Sequence, residues 1–143
     1  MEKIKLPLLK EKENKVIFDV NFLFIPIQFN LDIFKELAKL LNRRFKPILL
    51  SSTLKELQGL SESTSTKTQK QALTALELSK KCCFVAVKKS ATETYDDVIV
   101  RVAAEWKSPV ATNDRYLRKR LRQLGVPVIF MRQKQLLVLD GSV

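Results

Sequence analysis

The sequence predicts one α/β domain with a central, mainly parallel β-sheet. Short apolar runs alternate along the chain with segments of helical periodicity, and such alternation implies parallel strands covered by helices on both faces. The length of 143 residues suits a single domain spanning 1–143. A hydrophobic content of 45% with 29% charged residues is that of a globular chain with a packed core.

The predicted strands follow from the apolar runs. Residues 16–20 are apolar except for Asp19, as expected for a central strand that is buried on both faces. The further predicted strands cover residues 47–51, 82–87, 109–112, 126–130 and 136–139, and the last of these is a candidate edge strand.

The predicted helices follow from apolar residues repeated at helical spacing. We expect a helix over 31–41 with Asn30 as its N-cap, and a helix containing Leu117, Leu121 and Leu124 with Gly125 as its C-cap. The remaining predicted helices cover residues 52–60, 69–81 and 97–106. Outside these elements, residues 1–15 are predicted to be a charged N-terminal arm and residues 61–68 a polar loop.

The composition narrows the expected cellular location of the protein and the kinds of catalysis open to it. No apolar run approaches the roughly 20 residues of a membrane helix, and the first residues lack the apolar stretch of a signal peptide, so we expect a cytoplasmic protein. Cys82 and Cys83 are adjacent and lack CxxC spacing, which favours reduced thiols. The absence of histidine excludes Ser-His-Asp and Cys-His catalysis and leaves carboxylates, lysines or metal.

The net charge points to a polyanionic partner. Twenty-six Lys and Arg residues stand against fifteen Asp and Glu residues, which gives a formal charge of +11. Such a charge attracts phosphate groups and makes nucleic acid the first partner to consider. The alternative that the protein is simply basic, without a nucleic-acid partner, stays open at this point.

Four acids are predicted to meet at one edge of the sheet. Asp19 and Asp114 follow predicted strands, Glu56 lies in the first turns of a helix after a strand, and Asp97 opens the helix over 97–106. In a parallel sheet the carboxyl ends of the strands share an edge, where open α/β folds bind their ligands. Because like charges repel, such a cluster is costly unless it binds cations, and hard divalent cations take oxygen ligands.

Each acid except Asp19 also has a ready structural explanation. Glu56 has the spacing of a capping box with Thr53. Asp96 and Asp97 can complement a helix dipole after Thr94, and of the two we prefer Asp97 as the ligand. Either Asp114 or Asn113 can cap the helix that follows. Asp19 is different, because a buried carboxylate without a partner is costly.

At these positions the sequence resembles the PIN-domain ribonucleases. The matching segments are IFDVNFL at 17–23, SSTLKE at 51–56, DDVI at 96–99 and VATND at 110–114, and the resemblance extends over 16–139. The segments VPVIF at 126–130 and FIP at 24–26 look closest to the branch of small-subunit ribosomal RNA-processing endonucleases and their archaeal relatives. The chain departs from some ribosomal members because it has no cysteine-rich zinc ribbon.

The resemblance implies a PIN-like three-layer α/β/α domain with Mg²⁺ or Mn²⁺ as cofactor. The implied activity is metal-dependent endonucleolytic hydrolysis of RNA phosphodiester bonds, in ribosomal RNA processing or, alternatively, as the toxin ribonuclease of a toxin–antitoxin pair. A non-catalytic RNA-binding or assembly module is the third alternative. The implied partners are RNA, a second copy in a homodimer, and a ribosomal-assembly or antitoxin protein. The implied catalytic and metal-binding residues are Asp19, Glu56, Asp97 and Asp114, with Asn21, Asp96, Thr112 and Asn113 in support.

A basic stripe is predicted on the helix that follows Asp114. Its residues occur at i, i+3, i+4 and i+7, opposite the leucine face of the same helix. We expect this stripe to contact RNA phosphates beside the acids, although an ordinary solvated helix face has the same pattern. The stripe consists of Arg115, Arg118, Lys119 and Arg122.

Overall fold

The computed structural model describes residues 14–142. Within them the strands are β1 (Asn14–Phe18), β2 (Phe45–Leu50), β3 (Cys83–Val85), β4 (Val110–Ala111), β5 (Val128–Arg132) and β6 (Leu136–Asp140). The helices are α1 (Ile25–Phe29), α2 (Ile33–Leu41), α3 (Ser51–Ser61), α4 (Thr66–Ser79), α5 (Tyr95–Trp106) and α6 (Arg115–Gln123). A 3-10 helix, Val20–Phe24, joins β1 to α1.

The six strands form one sheet in the order β3-β2-β1-β4-β5-β6. All neighbouring pairs are parallel except β5 and β6, which pair antiparallel, so β6 is an edge strand as predicted. The chain builds outward from β1 to β3 and then crosses back to place β4 on the other side of β1. The crevice between the carboxyl ends of β1 and β4 is therefore the switch point of the sheet, where folds of this kind bind ligands.

Alternation of side chains along the strands produces two cores, one on each face of the sheet. In β1, Val16 and Phe18 join one cluster, whereas Ile17 joins the other. The first cluster includes residues of α2, α3 and α4, and the second includes residues of α5 and α6. A strand buried on both faces needs apolar residues at every position, which explains the continuous apolar run in β1. The predicted three-layer α/β/α architecture is confirmed.

The predicted N-cap of the helix over 31–41 is wrong. Asp32 caps α2 by accepting a hydrogen bond from the Lys35 backbone amide at 3.1 Å. Asn30 instead ends α1, a short helix that the sequence analysis did not predict, and adopts a left-handed conformation with φ 53°. Asparagine tolerates that conformation better than most residues, so it suits the end of a helix.

Two predicted irregular segments are more ordered than expected. Within 61–68, Ser61 ends α3, Thr66 already begins α4, and Ser65 caps α4 through the backbone amide of Thr68. Most of the predicted charged arm, residues 1–13, lies outside the described residues, but Asn14 and Lys15 belong to β1. None of the helices in the described part of the chain combines the length and apolar character needed to cross a bilayer.

Candidate active site

Asp19 lies at the switch point, immediately after β1. Its side chain is 3% exposed, yet every oxygen has a hydrogen-bond donor. Oδ1 accepts from the Val20 backbone amide at 2.8 Å, and Oδ2 accepts from Asn21 Nδ2 at 3.1 Å and from Thr112 Oγ1 at 2.7 Å. Burial raises the pKa of Asp19 to about 6, against the opposing effect of the hydrogen bonds from Thr112 and Val20.

A polar network fixes Asp19 between three strand ends. Thr112, which is fully buried after β4, donates to Asp19 and accepts from the Asp114 backbone amide at 3.0 Å. Asn21 accepts from the Asn113 backbone amide at 3.0 Å, and Asn113 Oδ1 accepts from the Met131 amide of β5 at 2.9 Å. The residues predicted to support the site therefore connect the segments that follow β1 and β4 to β5.

Glu56 projects from the second turn of α3, and its side chain has no hydrogen-bond or ion-pair partner among the described residues. Its Oε1 atom is buried and accepts no hydrogen bond from any residue in the described range 14–142. The alternative of a capping box is wrong, because Leu50 is the N-cap of α3 and the Thr53 hydroxyl is also buried without a partner among these residues. Burial and, to a smaller extent, the charges of Asp19 and Asp96 raise the pKa of Glu56 to about 7.

Asp97 is held at the start of α5 by two other residues. It forms a capping box with Thr94, in which Asp97 Oδ2 accepts from the Thr94 amide at 2.9 Å and Thr94 Oγ1 accepts from the Asp97 amide at 3.1 Å. Its Oδ1 atom pairs with Arg120 of α6 at 3.0 Å. The hydrogen bond from the Thr94 backbone lowers the pKa of Asp97, and Arg120 lowers it further.

Asp96, the neighbour of Asp97, is the α5 carboxylate that interacts electrostatically with the other acids. Burial raises its pKa, and the charge of Asp114 adds to the effect. Asp96 in turn raises the pKa of both Asp19 and Glu56. The spacing of Thr94 and Asp97 is a capping-box signal in the sequence, and that signal could have identified Asp97 as the structural member of the pair.

Asp114 serves as the N-cap of α6, which was one of the alternatives open from the sequence. Its Oδ1 atom accepts from the backbone amides of Tyr116 at 2.9 Å and Leu117 at 3.1 Å. Oδ2 has no hydrogen-bond partner within the part of the chain that the structure describes. One carboxylate can therefore cap the helix and still offer an oxygen to a ligand.

The structure thus gathers Asp19, Glu56, Asp96 and Asp114, which we call the acid cluster, at the carboxyl edge of the sheet. Charges within the cluster raise the pKa values of Asp19, Glu56 and Asp96, and the buried Glu56 oxygen, which has no partner among the described residues, is the kind of group that a cation satisfies. A hard divalent cation fits this all-oxygen donor set. Among residues 14–142, no three acidic or cysteine side chains are placed closely enough together to hold a metal ion by themselves. Mg²⁺ commonly keeps several waters and uses only one or two carboxylates.

The basic stripe of α6 borders a groove of about 570 Å³, whose lining also includes Gln123 and Asp140. Two residues of the basic stripe already contact other side chains of the protein. Arg118 stacks on the Phe130 ring at 3.8 Å, and Arg122 pairs with Asp140 at 3.3 Å. Arg115 and Lys119 are exposed and make no ion pair with the described residues. These two cations are thus the more available to an external anion.

A three-layer α/β/α domain with an acid cluster at its switch point and a basic helix beside it has the features of a nuclease. The family model described as a PIN-like domain matches residues 16–134, and the chain belongs to this family. The family predicted from the sequence is confirmed.

Individual relatives agree with this assignment. The chain is 30% identical over 130 residues to the ribonuclease VapC4 of Methanocaldococcus jannaschii, covering 90% of this chain and 98% of that protein. The solved structure of the PIN domain endonuclease Utp24 matches with a TM-score of 0.76 and 26% identity, covering 90% of this chain and 92% of that one. A domain of a functionally unknown protein from M. jannaschii matches in fold, with a TM-score of 0.61 and 16% identity over 91% of this chain and 96% of that one. The names of VapC4 and Utp24 support the assignment of this chain to the nucleases.

Proposed function

We propose that this protein is a metal-dependent endoribonuclease whose site is the acid cluster. The observation that carries the proposal is the burial of Asp19 at the switch point, beside the buried Glu56 oxygen that has no partner in the described residues. Carboxylates kept together at such a cost are most simply explained by a cation that binds them.

The residues that would hold Mg²⁺ or Mn²⁺ are Asp19, Glu56, Asp96 and Asp114. We choose Asp96 over the sequence-based preference, Asp97, because Asp97 is already neutralised by the Arg120 cation at 3.0 Å, whereas Asp96 forms no ion pair with the described residues. Thr112 and Asn21 would orient Asp19 through their hydrogen bonds. A bound divalent ion in such a site supplies an activated water and stabilises charge on the leaving oxygen, so no histidine base is required.

RNA is the substrate we propose. The net charge of +11 and the groove beside α6 provide cationic side chains for phosphates flanking the acid cluster. The similarity to a protein named as a ribonuclease supports RNA over DNA. The branch resemblance favours ribosomal RNA processing in the cytoplasm, and contacts with a second copy, a ribosomal-assembly protein or an antitoxin stay predictions.

The test is a titration of Mn²⁺ into the protein, followed by calorimetry, together with a cleavage assay on a structured RNA with and without metal. Asp19→Asn removes one carboxylate charge and keeps the side-chain shape. Glu77→Gln is the matched control, because Glu77 is exposed on α4 and, within residues 14–142, forms an ion pair only with Lys80. We expect Asp19→Asn to lose Mn²⁺ binding and to cleave at least ~100-fold more slowly, while Glu77→Gln behaves as wild type.

Retained cleavage in Asp19→Asn would contradict the proposal. Tight, salt-sensitive RNA binding by the wild type without metal uptake or cleavage would instead support the non-catalytic RNA-binding module.

A further inference from the structure

One ion pair joins the two helices that present Asp96 and Asp114. Of the five ion pairs within residues 14–142, only that of Arg120 with Asp97 connects α5 to α6. Asp114 begins α6, and Arg120 lies about two turns further along the same helix. The pair therefore ties the start of α5 to the helix that Asp114 caps.

Each carboxylate oxygen of Asp97 has a partner. Oδ1 binds Arg120 at 3.0 Å and Oδ2 accepts from the Thr94 amide at 2.9 Å. Turning Asp97 toward the acid cluster would break both contacts. Consecutive residues on an α-helix point about 100° apart, so a fixed direction for Asp97 directs Asp96 to a different face. Asp96 lies close enough to the other acids for its charge to raise the pKa of Asp19 and Glu56 and for the charge of Asp114 to raise its own pKa.

We propose that Arg120 is a positioning residue: it holds Asp97 away from the acid cluster and keeps Asp96 and Asp114 aligned within it. This inference rests on the proposed metal site. It assigns no contact with metal or RNA to Arg120, which acts through its ion pair with Asp97 and through the packing of α6 against α5.

Two effects of Arg120 on metal binding have opposite signs. As a cation near the acid cluster, Arg120 repels a divalent ion, so its removal would tighten metal binding if charge alone mattered. As a positioning residue, it keeps two carboxylates in place, so its removal would weaken metal binding. The charge effect is small because Asp97 neutralises Arg120 at 3.0 Å and the pair is about one-third exposed to solvent. We therefore expect positioning to dominate.

The experiment compares Mn²⁺ affinity in wild type, Arg120→Gln, Arg120→Lys and Arg101→Gln, measured calorimetrically without RNA. Arg101 is the control because it lies on α5, the helix of Asp97, and pairs with Glu93 at 2.9 Å, yet its charge is not among the causes that shift the pKa of Asp19, Glu56 or Asp96. Thermal unfolding of each variant fixes a temperature at which all of them are folded.

We expect Arg120→Gln to bind Mn²⁺ about 10-fold more weakly, the low end of the loss seen for direct partners of metal ligands, because Arg120 acts on Asp96 only through its neighbour Asp97. Arg120→Lys should recover part of this affinity, since its ammonium group can still pair with Asp97, and Arg101→Gln should match the wild type. A role limited to stability would lower the unfolding temperature without changing the affinity of the folded protein.

Equal or tighter Mn²⁺ binding by both Arg120 variants would overturn the inference and leave the metal site standing. Should Arg120→Gln not fold, the same comparison made on Arg120→Lys decides the matter. A wild-type protein that takes up no Mn²⁺ would overturn the proposed metal site and this inference together.

Discussion

At the scale of single residues, the free-energy cost of buried carboxylates dominates the site. Asp19 and Glu56 have pKa values raised to about 6 and about 7, mainly because burial disfavours their charged forms. At neutral pH the metal-free protein must therefore either ionise these groups at a cost or keep a proton on them. A bound cation stabilises the charged carboxylates and so offsets this cost. Protein stability, pH and metal binding are therefore linked at the same residues.

The first residue-scale prediction concerns pH and stability. The pKa of Asp19 in the folded protein, about 6, exceeds its ordinary value of 3.8, so the folded state holds this proton more tightly than the unfolded state. The resulting stabilisation is complete below about pH 4 and is lost as the pH rises through about 6. Glu56 acts in the same direction.

We expect the metal-free protein to lose stability between about pH 5 and about pH 7.5, with Asp19 contributing roughly 1 to 2 kcal/mol of the loss. Urea denaturation in the presence of a chelator measures this difference, and Asp19→Asn should reduce it. Added Mn²⁺ should restore stability at the higher pH by mass action. A wild-type protein that becomes more stable over this range would contradict the prediction.

The second residue-scale prediction separates Asp96 from Asp97. Asp96→Asn removes a member of the acid cluster, so Mn²⁺ affinity and cleavage should fall at least ~100-fold with little change in unfolding temperature. Asp97→Asn weakens the capping box and the pair with Arg120, so the unfolding temperature should fall while Mn²⁺ affinity drops less than ~10-fold. The reverse ranking of the two variants would restore Asp97 as the ligand.

At the scale of elements, the ends of helices carry both structure and chemistry. The acid cluster is assembled from the start of the 3-10 helix at Asp19, the early turns of α3 and α5, and the N-cap of α6. Negative charge near a helix N-terminus is favoured by the helix dipole. This placement offsets part of the repulsion among the carboxylates.

The element-scale prediction concerns Asp114, which is both the N-cap of α6 and a member of the acid cluster. Asparagine caps helices about as well as aspartate, so Asp114→Asn should keep the unfolding temperature near the wild-type value yet reduce Mn²⁺ affinity and cleavage. Asp114→Ala should lose both, with a stability cost of about 1 kcal/mol. Asp32→Ala at the N-cap of α2 is the control, because it should lower stability alone. Full activity in Asp114→Asn would limit Asp114 to capping.

At the scale of the whole molecule, the net positive charge and the acid cluster have different roles. The net charge of +11 attracts polyanions from all directions, but the acids cluster at one edge, so the substrate has to approach that edge beside cations. Arg115 and Lys119 on α6 are the exposed cations of the basic stripe, since Arg118 and Arg122 have protein partners.

The molecule-scale prediction concerns the salt dependence of RNA binding. In the Asp19→Asn background with a chelator, which prevents cleavage, the double change Arg115→Gln and Lys119→Gln should weaken binding of a single-stranded RNA. The slope of log affinity against log salt should fall in magnitude by about 1 to 1.5, as expected for two lost phosphate contacts. Lys67→Gln with Lys70→Gln on α4 is the control with the same change in net charge. An equal effect of both pairs would mean that only net charge matters.

The positions of the strands and of most acids were predictable from the sequence. A strand buried on both faces must be apolar throughout, and a carboxylate that ends such a strand, such as Asp19, reveals itself without any knowledge of contacts. Helical spacing likewise located the main helices, although their ends shifted by a few residues. Asn30 was misassigned because the short helix α1 has too few residues to show a period.

The sequence by itself determined the alternation of strands and helices, the family, and the edge of the sheet where acids gather, because these depend on local patterns and on the direction of parallel strands. Only the tertiary structure decided that Asp97 pairs with Arg120, that Asp96 interacts with the other acids of the cluster, and that the Glu56 oxygen has no partner in the described chain. The physical reason is that these features depend on residues that are distant in the sequence, such as Asp97 on α5 and Arg120 on α6.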